Sequence, residues 1–301
     1  MRLDNYLLRL LKSVPKSHVY RIVRSGEVRV NRSRAKPGTR LAEHDQVRVP
    51  PVRRRERGQA PRPPDALKAK VQAAIVAETD DWIVFNKPPG LAVHGGSGLM
   101  FGLIEVLRAM RPDAWVELVH RLDRQTSGCL LVAKSRATLA ELRSGLRAPG
   151  CEKHYLALVE GHWQGGRRRV DAPLTRDRER GGERMVEIDH AHGKRALSEF
   201  SPLRHLAAAT LMAVRIRTGR THQIRVHAAH CGHPLAADAK YGANARAAYW
   251  RECGLQRMFL HAARIDMPRN DARFRVVAPL ADDLARVLEQ LGAADALDDW
   301  V

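Results

Sequence analysis

The stretch His120-Arg121-Leu122-Asp123-Arg124-Gln125-Thr126-Ser127-Gly128 sets one carboxylate between two arginines on a short polar segment. The apolar Val116–Val119 run leads into it, and Cys129–Ala133 leads out with the composition of a strand. An acid so placed is either held by its neighbours in a local salt bridge or used by them, because nearby cations keep it ionised. Three other segments carry reactive side chains. They are Asn86-Lys87-Pro88-Pro89-Gly90 with Val93-His94, Lys153-His154-Tyr155 through Gly161, and Thr218-Gly219-Arg220-Thr221-His222-Gln223-Ile224-Arg225-Val226-His227. The tripeptide Arg2-Leu3-Asp4 repeats Arg121-Leu122-Asp123, but it opens a helical pattern, where aspartate has a capping or dipole role. Three letters alone therefore carry no catalytic meaning. His222, His227, His230, Cys231 and His233 invite a zinc reading, yet their spacing fits no usual zinc pattern and a second cysteine pair is lacking. No metal is expected.

The elements that must position these residues follow from periodicity. Leu3, Tyr6, Leu7 and Leu10 recur at helical spacing, Pro15 ends that helix, Lys16–Ser25 forms a second, and Gly26 stops it. Val28 and Val30 alternate with charged residues as a half-buried strand does, Lys36-Pro37-Gly38 makes a turn, and Val47-Arg48-Val49 closes a small sheet. Pro50 to Pro64, with Arg53-Arg54-Arg55 inside it, reads as extended and basic. Beyond it, Trp82–Phe85 and Tyr155–Val159 look like strands. Leu103, Val106, Leu107 and Met110 form one helical face; Leu139, Leu142 and Leu146 form another. A last helix runs from Asp282 or Asp283 near its N-cap to Gly292. Strands outnumber helices without alternating with them, which favours an α+β fold. The expected division is residues 1–57, a linker at 58–66, and a larger domain at 67–301.

Charge points to a polyanion. The 301 residues hold 52 Lys and Arg against 33 Asp and Glu, a net +19, far beyond what solubility needs. Residues 1–57 alone have 16 basic and 5 acidic side chains, so +11 of the charge is concentrated there. No apolar run approaches a membrane span and the N-terminus is charged rather than signal-like, so a soluble cytoplasmic protein is expected. Four cysteines without C-x-x-C spacing are expected as free thiols.

The order of elements in roughly residues 1–50, with the phrase RSGEVRVN, resembles the S4 RNA-binding module. That resemblance implies RNA contacts by Lys12, Lys16, Arg21, Arg24, Arg29, Arg32 and Lys36. The four reactive segments, in this order and at these separations, resemble the RluA-type pseudouridine synthases. Gly232-His233-Pro234-Leu235 and Asp238-Ala239-Lys240-Tyr241-Gly242 support the likeness independently. It implies a mainly antiparallel, mixed β-sheet catalytic domain behind the S4 module.

The chemistry implied is isomerisation of uridine: the C1′–N1 bond breaks, the uracil turns, and C5 joins C1′. No cofactor is called for. A carboxylate must attack the nucleoside, at C1′ or at the base ring, or stabilise cationic character at C1′. Asp123 matches that residue. Arg225 matches its ion-pair partner, with a phosphate contact as the plainer role. Tyr155 matches a tyrosine that packs on the target base and helps remove the C5 proton, with core packing as the plainer role. Arg121 matches a position that fills the space vacated by a flipped base, and Arg220, His222 and Gln223 are expected to touch RNA. The implied partner is large-subunit (23S) ribosomal RNA, modified at several sites by a monomer. The rivals are an RNA-binding or ribosome-assembly factor without catalysis and a metal-dependent RNA hydrolase. The joint presence of Asp123, Tyr155 and Arg225 separates the first reading from the binder, and activity in chelator would exclude the hydrolase.

Overall fold

Helix α1 (Leu3–Leu10) turns Leu3 and Leu7 inward, and α2 (Lys16–Arg24) answers with Val19, Ile22 and Val23, all buried together with Val28. Gly26, at φ +79°, ends α2 in the left-handed region that glycine enters without strain. Strands β1 (Arg29–Val30), β2 (Ser33–Arg34) and β3 (Val47–Arg48) form a three-stranded antiparallel sheet in the order β2-β1-β3. The hairpin between β1 and β2 turns on Asn31 and Arg32, both at positive φ, which is the twist a two-residue loop requires. The structure is a computed structural model that describes residues 1–11, 14, 16–52, 61–96, 99–180, 183–242, 246–269 and 272–297. It divides into two units, Met1–Arg62 and Pro63–Val301.

The larger unit begins with α3 (Asp65–Ala73), which starts inside the stretch read as linker; residues 58–60 of that stretch lie outside the described residues. Then come β4 (Ile75–Glu78), β5 (Trp82–Lys87), α4 (Leu103–Met110), β6 (Glu117–Leu118), β7 (Ser127–Ala133), α5 (Arg136–Gly145), β8 (Glu152–Glu160) and β9 (Arg168–Asp171). The chain continues through β10 (Leu174–Arg180), β11 (Glu183–Ile188), β12 (Leu197–His205), β13 (Ala209–Ile216), α6 (Gln223–His230), α7 (Ala247–Glu252), β14 (Leu260–Arg269), β15 (Ala272–Val277) and α8 (Asp282–Gln290). Strands dominate, as the pattern predicts. Asp282 and Asp283 lie near the start of α8 as expected, in its first turn, directly after the N-cap residue Ala281.

Among the described residues a ten-stranded sheet runs β4-β5-β7-β14-β8-β13-β12-β9, with β15 on β14 and β6 on β7, while β10 and β11 form a separate hairpin. Its pairings are antiparallel except β7 with β14. One core cluster gathers Phe85, Leu103, Leu107, Leu130 and Leu142; another gathers Leu158, Leu211, Trp250, Phe259, Leu284 and Val287. No helix among the described residues is long and apolar enough to cross a membrane. The four cysteines are unpaired, and burial pushes the Cys129 thiol up to about 12.

Candidate active site

At the centre of the sheet, β7 and β14 run side by side with Ser127 opposite His261 and Gly128 opposite Ala262. Gly128 sits at φ +110°, and a Cβ there would lie 2.1 Å from the Ala262 carbonyl oxygen. Glycine is required by this approach of two backbones. The loop before it delivers Asp123 into a cleft also lined by Arg121, Tyr155 of β8, Arg220, His222 and Arg225.

Two buried cations clamp that loop. Lys87, fully buried at the end of β5, donates from Nζ to the carbonyls of Pro88 (2.9 Å), Leu91 (2.9 Å) and Arg124 (3.2 Å). The Arg124 carbonyl also accepts the Gly90 N–H at 2.9 Å, and Arg124 Nε returns a bond to the Gly90 carbonyl at 2.9 Å. On the other side Arg257 donates to the Gln125 carbonyl at 3.2 Å and to Ser127 Oγ at 2.9 Å, with Asp283 as its ion-pair partner. Burial pushes Lys87 down to about 7. The Asn86–Gly90 segment stands out in the sequence with no task assigned to Lys87, and Arg257 lies in no motif singled out there. A lysine closing the apolar run Trp82–Phe85 was the available signal for the first.

The Asp123 carboxylate is itself lightly held. Its side chain is 19% exposed, and Oδ2 has His222 Nε2 at 3.8 Å and Arg225 Nη1 at 3.9 Å. Among the described residues it accepts no side-chain hydrogen bond. The expected Arg225–Asp123 pair is thus a long contact. The short bonds of Arg225 go to Asp238, from Nε at 2.7 Å and from Nη2 at 2.7 Å. A buried guanidinium needs a close counter-charge, and Asp238, 4% exposed, supplies it. Burial works against both charges, but the hydrogen bonds between them hold Asp238 below the usual carboxylate range and Arg225 above its own.

Tyr155 lies beside Asp123, and burial, reinforced by that negative charge, raises its phenol above the ordinary range. Arg121 and Arg220 are exposed at the cleft, Arg220 tied from Nε to the Arg195 carbonyl at 3.1 Å. Gln223 departs from its expected part. Only 3% exposed, it accepts from Thr218 Oγ1 (2.8 Å) and the Arg220 N–H (3.1 Å) and donates to the Leu197 carbonyl (2.9 Å) and Ser198 Oγ (3.0 Å). It still lines the cleft, but its amide shapes the loop, with its hydrogen bonds taken by the protein. His222 contacts Asp123 and Tyr241, and burial takes it down to about 4 against the pull of Asp123. The other histidines go separate ways: His227 to Ser198 Oγ and the Ala172 carbonyl, His233 to the Glu160 carbonyl.

In the smaller unit Arg21, Arg24, Arg29, Arg32 and Lys36 are exposed. Arg21 stands 3.8 Å from Glu27, whereas among the described residues Arg24, Arg32 and Lys36 make no ion pair. Lys16 begins α2, and Lys12 lies outside the described residues.

Residues 81–230 match the family described as RNA pseudouridylate synthase, and residues 1–47 match the S4 domain. The chain belongs to the RNA pseudouridylate synthases, which are isomerases. It is 49% identical to ribosomal large subunit pseudouridine synthase C of Yersinia pestis over 95% of this chain and 91% of that one. The protein of the same name from Haemophilus influenzae is 48% identical, over 96% and 91%. Among solved structures, human RNA pseudouridylate synthase domain containing 1 matches with a TM-score of 0.56 and 30% identity, over 68% of this chain and 82% of that one. Human RNA pseudouridylate synthase domain containing 4, at 21% identity over 76% and 96%, shares the fold with a TM-score of 0.63.

Proposed function

We propose that this protein converts uridines of large-subunit (23S) ribosomal RNA to pseudouridine, at several positions, with Asp123 as the reacting carboxylate. The observation that carries the reading is the state of that side chain: half-buried in the cleft, with two nitrogen-bearing side chains at 3.8 and 3.9 Å and no hydrogen bond of its own among the described residues. An ionised carboxylate left unsaturated keeps its lone pairs for an incoming electrophile. The substrate follows from the name shared by relatives that match almost end to end.

In this reading the S4 unit, residues 1–57, anchors on RNA phosphates while the catalytic unit extrudes the target nucleotide, at a cost of a few kcal/mol offset by protein contacts. Arg121 fills the vacated stack and Tyr155 packs on the flipped base. As the C1′–N1 bond breaks, Asp123 meets the nucleoside. C5 then replaces N1 at C1′, C5 gives up its proton, and N1 takes one up. The net change is an isomerisation, so neither cofactor nor energy source is needed, and a cytoplasmic monomer suffices.

The test is to map pseudouridine in ribosomal RNA from cells lacking the protein, then restore either the natural chain or Asp123→Asn. The natural chain should recover large-subunit sites and the variant none. Recovery by the variant, or loss confined to other RNAs, would overturn the proposal.

A further inference from the structure

His222 is the N-cap of α6 and holds φ 54°, ψ 17°, a left-handed conformation that is uncommon for residues other than glycine and that histidine, with asparagine and aspartate, enters more readily than most. Its ring has two side-chain contacts, while burial, Arg225 and Lys240 disfavour its charged form and Asp123 and Asp238 favour it. Nε2 faces Asp123 Oδ2 at 3.8 Å, and Nδ1 lies 2.8 Å from the Tyr241 hydroxyl, the two rings packed edge to face with centroids 5.5 Å apart. Tyr241 is in turn fixed from three directions. Its hydroxyl oxygen accepts the Val186 N–H at 3.0 Å, its backbone N–H donates to Asp238 Oδ1 at 3.2 Å, and the Arg225 guanidinium covers its ring at 4.9 Å.

The direction of the Tyr241–His222 bond follows from these partners. With the backbone donor of Val186 occupying the hydroxyl oxygen, the hydroxyl's own proton has Nδ1 as its acceptor. An imidazole whose Nδ1 accepts must carry its proton on Nε2. We infer that Tyr241 is a positioning residue whose hydroxyl fixes the tautomer and orientation of His222, so that a neutral Nε2–H is aimed at the Asp123 carboxylate. This rests on Asp123 being the reacting group.

The consequence concerns how strongly Asp123 is held. An imidazolium at Nε2 would form a charge-assisted bond that stabilises the free carboxylate and blunts its reactivity. A neutral N–H held at 3.8 Å leaves the carboxylate unsaturated while presenting a donor on the side of Oδ2, with less loss of nucleophilicity than a charged partner would cause. The low position of His222, about 4, keeps it neutral at ordinary pH. Asp238 serves both arms, since it binds Arg225 and also accepts from the backbone of Lys240 and Tyr241.

Tyr241→Phe removes the hydroxyl and keeps the ring under Arg225. It is expected to lower single-turnover kcat about tenfold, with KM little changed. The acid limb of its pH profile should move to higher pH, because the neutral ring loses the donor that favours it. His222→Gln, whose amide nitrogen reaches the Nε2 position, should keep more activity than His222→Asn, whose amide reaches only the Nδ1 position. Asparagine is at ease in the left-handed region, so its loss would not come from the backbone. Nitrogen NMR of labelled histidine in the natural chain should show Nδ1 unprotonated and Nε2 protonated at His222. A protonated Nδ1, an unmoved acid limb in Tyr241→Phe, or Asn outperforming Gln would each overturn the inference. Failure of the Asp123 reading shows separately, as turnover by Asp123→Asn, and the NMR readout is independent of it.

Discussion

The molecule contains the same three residues twice, Arg2-Leu3-Asp4 and Arg121-Leu122-Asp123, and treats the two acids in opposite ways. In both copies the leucine is buried, Leu3 fully and Leu122 to within 5%. Arg2 folds back on Asp4, donating from Nε at 3.1 Å and from Nη2 at 2.7 Å, and the Asn5 N–H (2.9 Å) and Tyr20 hydroxyl (3.3 Å) complete its shell. Those hydrogen bonds, that of Arg2 first, hold Asp4 below the usual carboxylate range. Arg121 does not fold back; it is exposed at the mouth of the cleft. Asp123 is left with two long contacts. The two acids thus differ in what occupies their lone pairs: those of Asp4 are filled, and those of Asp123 are open.

The sharpest way to break that contrast is to neutralise each acid in turn. Asp123→Asn should reduce pseudouridine formation by at least about a thousandfold while leaving the melting temperature nearly unchanged, since no hydrogen bond is lost. Asp4→Asn should do the reverse, lowering the stability of the N-terminal unit with turnover on a short RNA intact. Single-turnover assays paired with thermal melts would separate them, and equal destabilisation by both would dissolve the distinction.

Arginine truncation should come next in size. Arg225→Ala strands Asp238 as a buried, uncompensated charge, a loss of about 3–5 kcal/mol in denaturant unfolding. Arg2→Ala, removing a side chain 55% exposed, should shift the midpoint only slightly.

Acid should divide the two units. Burial takes His120 to about 3 and both His222 and His261 to about 4, all from an ordinary 6.5. Their folded values are depressed, so the stability they contribute is complete above about pH 6.5 and is lost as pH falls toward 4, by up to about 1.4 kcal/mol per histidine per pH unit. Asp4, lowered from 3.8, keeps its contribution until the pH drops below that value. Hydrogen exchange across a pH series should therefore show the larger unit loosening first. A smaller effect is expected from Arg24→Ala, Arg32→Ala and Lys36→Ala together. The salt slope of RNA binding should flatten by up to about 0.9 per residue that touches a phosphate, with kcat unchanged.

Much of the framework was legible because it depends on short-range periodicity. The leucines of α1, the apolar face of α4 and the strand run at Trp82 all appear where spacing places them. The acid of the HRLDRQTSG loop could be singled out by its frame, His120 on one side and Thr126-Ser127-Gly128 on the other. What was hidden lies in pairings between distant segments. The proximity of Arg225 to Asp238 depends on a turn thirteen residues on, and the hold of Lys87 on Arg124 spans thirty-seven. Gln223 looked like a polar probe on a loop, yet the fold encloses it and uses all its hydrogen-bonding capacity. Burial of a polar side chain is set by the whole sheet, and no local pattern announces it.

The crossing of Gly128 and Ala262 also works as a ruler. Because those backbones touch, the loop has a fixed origin, and the reach of Asp123 into the cleft is counted in whole residues from that point. Substitutions between the two positions can be absorbed by repacking. An insertion or deletion cannot, for the segment is a turn closed by the Thr126 N–H on the Asp123 carbonyl at 3.1 Å and pinned at the Arg124 and Gln125 carbonyls by Lys87 and Arg257, so a change of length moves Asp123 off its anchors. The span from Asp123 to Gly128 should thus tolerate changes of letter far better than changes of length.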